Sequence, residues 1–271
     1  MHERLAIPFR LVAGVAALAF CATAGAAQIQ VSITNLAPSH SISFTPLQLG
    51  FGNGSFDPFN SGDPASAALT PLAELGNGSA WQAAFAAADA NSTRAAIVAP
   101  VVGVLLPGAS TSSIFTVDSA INRYFTFAAM VLPSNDSFIG NESPMQYQLF
   151  DVAGKLAITS IVQTANDIWD AGSEAFDIAS AAFVGDAGLH ADEGGVISKN
   201  FTQLAGFDTL TTGANYVFAS QLDSATPIYR ISFQAVPEPE SLALMLPGLL
   251  AVGWVGRRRN KRSATSTVVP V

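Results

Sequence analysis

From Gln28 to Asn35 apolar and polar residues alternate, with Ile29, Val31 and Ile33 on one side. A period of two predicts a strand with one buried face. Comparable segments recur at 95–102, 113–117, 124–132, 145–150, 156–162, 216–220 and 228–234. Clusters of Gly, Asn, Asp and Pro separate them, as between the strands of an antiparallel sheet. The pattern therefore predicts a mainly β fold, an antiparallel β-sandwich with one or two short helices. Asp63 can cap a helix that begins at Pro64 and that Pro71 kinks or ends. Ser79 and Gln82 have capping-box spacing for a second helix over 81–90. Its Trp81 and Phe85 are expected to pack on a sheet. No internal repeat or long linker divides the body of the chain.

Both ends follow a different pattern. Arg4 and Arg10 precede an apolar stretch at 11–20 and a small-residue run at 21–27. This reads as a secretory signal peptide over 1–27, cleaved after Ala26 or Ala27. Phe20 is too large for the position before a lipidated Cys21. The single cysteine therefore leaves with the signal, although an oxidising compartment would permit disulfides. At the other end, Pro237, Glu238 and Pro239 precede an apolar run at 242–256 and five basic residues within 257–262. As a helix the run spans roughly 22 Å. Its fifteen residues fall short of the about 20 of a stable membrane span, and Pro247 and Gly248 interrupt it. The basic residues should remain cytoplasmic. The order over 236–271 resembles the PEP-CTERM sorting signal of Gram-negative bacteria. That resemblance implies an exosortase partner, transient membrane anchoring and removal of the tail at the cell surface. An uncleaved C-terminal anchor is the other reading of the same residues.

The charge is unevenly distributed. The whole chain has a net charge of −8, but residues 28–235 carry five basic against seventeen acidic side chains, a net of −12. So acidic a body argues against a nucleic-acid partner, whose phosphates require Lys and Arg. It suits divalent cations or simple solubility.

Within 28–235, Asn35 to Pro38, Phe44 to Pro46, Gly54 to Asp57 and the LAELG run ending the 65–76 region resemble bacterial spondin-type domains. So do residues 127–140, a strand running into Pro133, Ser134, Asn135 and Asp136, and residues 168–174, which read IWDAGSE. The resemblance implies a β-sandwich with a divalent-cation site, usually calcium, and a role in adhesion or matrix binding. Residue by residue it assigns Asp136 and Asp170 as ligands, and it puts Glu174 where aspartate is usual. The residue types agree, because calcium takes six to eight oxygens and Asp170 and Glu174 flank a flexible turn. Asp167 and Asp177 lie nearby as supporting or solvated charges. The cysteines of the animal members are absent.

Other chemistry is sparse. His40 stands between two serines, which does not make a triad. His190 lacks the second histidine of a helical zinc motif. Asp170 and Glu174 could imitate a glycosidase pair, but that requires a cleft and a defined separation. The expected function is a non-enzymatic exported module that binds a cation and contacts exopolysaccharide or matrix. The alternatives are a carbohydrate-binding module and a secreted hydrolase. Intact mass of secreted material should show an N-terminus at Ala27 or Gln28 and no basic tail. Recovery of residues 257–262 outside the cell would contradict the exosortase reading.

Overall fold

The computed structural model describes residues 26–100 and 103–237. Residues 1–25 of the expected signal peptide, and Glu238, Pro239 and the apolar and basic segments after them, lie outside the described residues. The described chain forms eleven strands: β1 (Ala26–Asn35), β2 (Ser43–Phe44), β3 (Leu47–Gly52), β4 (Thr93–Ile97), β5 (Ser110–Asp118), β6 (Tyr124–Leu132), β7 (Ser137–Gly140), β8 (Ser160–Thr164), β9 (Trp169–Asp170), β10 (Ser198–Lys199) and β11 (Pro227–Val236). Two helices, α1 (Thr70–Leu75) and α2 (Ser79–Ala88), join β3 to β4. One sheet has the order β5-β1-β11-β8 and the other β10-β9-β7-β6-β3-β4, with β2 added beside β6. All the strand pairs are antiparallel.

The two sheets close on a shared core. Ile29, Val31 and Ile33 of β1 are buried there, as their alternation requires, with Leu49 and Phe51 of β3 and Phe125 and Phe127 of β6. Phe125 meets Phe233 of the opposite sheet edge-on, with ring centroids 4.9 Å apart. A second apolar layer lies on the far face of the larger sheet. There Trp81 and Phe85 of α2 and Leu72 of α1 pack with Phe56, Ala128 and Phe138. Eight of the nine residues of β6 are buried, because the strand is covered on both faces. This explains its continuous apolar run, where a half-exposed strand would alternate.

The helices form for reasons other than those the sequence suggested. Pro71 lies in the first turn of α1, where its missing N–H costs nothing, so it starts the helix instead of ending it. Asp63 caps no helix, because α1 begins seven residues later. Ser79 is the first residue of α2, Gly78 is its N-cap and no side chain caps it. Gln82 instead turns to the sheet, donating from Nε2 to Gln48 Oε1 at 3.1 Å and to the Ala95 carbonyl at 2.9 Å. Arg94 Nη1 returns a bond to the Gln82 carbonyl at 2.8 Å. The ring of Phe85 lies directly over Gly50 of β3, where a β-carbon would fall 1.7 Å from Cε1.

The strands expected at 145–150 and 216–220 are replaced by isolated bridges, Tyr124 with Gln148, Phe150 with Leu156 and Thr211 with Val217. These segments spend their amides on turns and single contacts, such as Leu149 on the Arg123 carbonyl, and build no ladder. β1 begins at Ala26, which pairs with Asp118, so cleavage after Ala26 or Ala27 would trim that pairing and spare the β1–β11 register from Gln28 onward.

The contact at Gly50 makes a testable point. Gly50→Ala forces the Phe85 ring off the sheet and should destabilise the fold by about 1–3 kcal/mol in urea unfolding. An unchanged midpoint would show that α2 is not seated there.

Candidate metal centre

Asp136 occupies the short turn from β6 to β7, which leaves β6 through a cis Leu132–Pro133 bond. Ser134 Oγ donates to the Val131 carbonyl at 2.6 Å and accepts the Ser137 amide at 3.1 Å. Asn135 Nδ2 donates to the Asp177 carbonyl at 3.0 Å and to Ser180 Oγ at 2.8 Å. With its neighbours so fixed, Asp136 is only 2% exposed.

Asp170 ends β9, where it pairs with Ser137. That register brings the two aspartates together. Asp170 Oδ1 accepts the Gly172 amide at 2.8 Å, and Oδ2 accepts Asn200 Nδ2 at 3.2 Å. Gly172 has a φ of 63°, and a β-carbon on it would lie 2.6 Å from the Val196 nitrogen. Only glycine lets this turn close on the 193–196 segment. The closure is held by the Gly195 amide on the Gly172 carbonyl at 2.8 Å and the Glu193 amide on the Ser173 carbonyl at 3.2 Å. Carboxylate oxygens of Asp136, Asp170 and Glu193 consequently lie within 4.8 Å of one another.

The expected trio is thus divided. Asp136 and Asp170 converge. Glu174 offers Asp136 its backbone instead: Asp136 Oδ2 accepts the amides of Ser173 at 2.8 Å and Glu174 at 3.1 Å. The Glu174 carboxylate groups with Glu74 and His190. The third carboxylate beside the aspartates is Glu193, which follows Asp136 at a long sequence separation and becomes visible only through the turn contacts. Its one sequence signal is the Gly194-Gly195 pair that lets the chain fold back. Asp167 belongs to a separate device, accepting the Thr164 amide at 2.8 Å and Lys199 Nζ at 3.3 Å. Asp177 accepts the Ala179 amide in a local turn. His40 stacks on Tyr216, with ring centroids 5.7 Å apart, away from both acidic groups.

Burial, followed by the neighbouring Asp170 charge, pushes the Asp136 carboxyl from its ordinary 3.8 up to about 7, against the opposing pull of the two amides. Among the described residues the one lysine or arginine ion pair is Lys199 with Asp167, so no basic side chain neutralises this trio. An oxygen-only set with two buried aspartates and an exposed glutamate fits a hard dication such as calcium.

Compared with known proteins, no family model and no curated protein matches this chain.

The raised Asp136 value fixes a sign. Between pH 3.8 and about 7 the folded state holds a proton that the unfolded chain has lost, so this group's contribution to stability falls as pH rises. In chelator, melting temperature should drop across that window, and Asp136→Asn should flatten the drop. An unchanged slope in the variant would remove Asp136 as its source.

Proposed function

We propose that this chain is an exported, non-enzymatic module that binds a divalent cation, calcium in the first instance, and contacts extracellular matrix or exopolysaccharide. The observation that carries the reading is the convergence of Asp136, Asp170 and Glu193 on loops at one end of the larger sheet, with no basic partner. An ion there would take carboxylate oxygens from three separated segments and lock the loops that present the surface around it. The sandwich and the spondin-like motifs support the same reading. The PEP-CTERM-like tail supports export, with exosortase as the processing partner. Pro237 follows directly on β11, so a cut near the motif would leave the β11 ladder whole.

Calcium bound only to the folded state raises stability by about 2.7 kcal/mol when free ion is a hundredfold above Kd. Asp170→Ala should lose most of that gain. Asp223→Ala, in an exposed turn remote in sequence from the cluster, should keep it. Thermal melting of the three proteins with calcium and with chelator decides this. Equal responses of the native protein and Asp170→Ala would overturn the calcium reading. Pull-down on exopolysaccharide with and without calcium tests the partner.

A further inference from the structure

The second group of ligand-type side chains lies beside the first but differs in chemistry. Glu74 comes from the last turn of α1, Glu174 from the turn after β9 and His190 from the loop that leads to Glu193. His190 Nδ1 stands 3.6 Å from Glu74 Oε2 and 3.8 Å from Glu174 Oε2. Both distances exceed an N–H···O hydrogen bond. They are close to the spacing of about 3.3–3.5 Å between neighbouring ligands of a tetrahedral ion with bonds of ~2.0–2.1 Å.

Two further observations point to a ligand. The first is Glu74 Oε1, which is shut off from water without a hydrogen-bond partner, on a side chain only 11% exposed. Burying the Glu74 carboxylate is costly, and a cation on its Oε2 side, which faces His190, would offset that cost. The second is the other face of the imidazole. His190 Nε2 lies 2.7 Å from Asp192 Oδ1. A proton held there on Nε2 leaves the Nδ1 lone pair facing the two glutamates. This carboxylate–histidine arrangement is the one that orients a metal-binding imidazole.

We propose that Glu74, Glu174 and His190 form a second cation site, selective for a first-row transition-metal dication such as zinc, with Asp192 as the residue that positions the histidine. Imidazole with two carboxylates favours such an ion over calcium, whereas the Asp136 group offers oxygen alone. His190 is partly exposed and leaves the ion a route in from solvent. The site stands on residues other than the Asp136, Asp170 and Glu193 carboxylates, so either site can fail without the other.

The test is zinc titration of the chelator-stripped full chain, followed by calorimetry, with cobalt absorption as a second readout. The native protein should bind one zinc that calcium does not displace. His190→Ala and Glu74→Gln should weaken it at least tenfold. Asp192→Asn should weaken it by about 10- to 100-fold through loss of orientation. Asp170→Asn should leave zinc binding intact while abolishing the calcium response. His190 lies on an exposed loop, and circular dichroism of its variant confirms that the fold is kept. No zinc binding below millimolar concentration would overturn the proposal, as would equal binding by His190→Ala. So would loss of zinc in Asp170→Asn with retention in His190→Ala, because the ion would then belong to the oxygen site.

Discussion

Asp136 Oδ2 accepts two successive backbone amides, those of Ser173 and Glu174, across the end of the larger sheet. The arrangement of that end depends on this interaction. It ties the β6–β7 turn to the turn after β9, and the 193–196 segment then closes over Gly172. The short aspartate side chain takes both amides on one oxygen from inside a buried turn. Asparagine would preserve much of the geometry without the charge. The same carboxylate thus serves as a strut and as a candidate ligand, which places folding and ion binding on one side chain.

The helical layer is the second constraint. β6 and β3 would present apolar surface to water if the larger sheet were bare on its far side. α1 and α2 cover it with Leu72, Trp81 and Phe85. That cover also delivers Glu74 to the neighbourhood of Glu174 and His190. The end of α1 is fixed by Gly76, which adopts a φ of 66° and sends its amide back to the Leu72 carbonyl.

Much of the fold was legible in the sequence wherever the side chains themselves report burial. β6 coincides with residues 124–132, a short apolar run rich in aromatics that Pro133 closes. β1 shows its buried face through Ile29, Val31 and Ile33. β3 is absent from the expected strands; it carries Gly50 and Gly52, which weaken a strand pattern, although Gly50 is required by the ring of Phe85. The helix starts misled because Pro71 and Gln82 each have two meanings, and only tertiary contacts choose between them. At the site, Asp136 and Asp170 stood in recognisable turns. Glu74 sits in the LAELG run and Glu193 beside Gly194 and Gly195, but neither signal says which carboxylate it will meet, and the direction of the Glu174 side chain depends on its bridge to Asp192.

β11 lies between β1 and β8, with eight register pairs on one side and five on the other. Its last residue, Val236, sits opposite Gln28 near the start of β1. The response to force therefore depends on direction. A pull on Val236 along the β11 axis, against the opposite end of the strand, loads the rungs of both ladders together, in shear. A pull between the two ends of the domain opens the β1–β11 ladder from the Gln28–Val236 pair, one rung at a time. A load that enters along the β11 axis therefore meets the stronger of these two geometries.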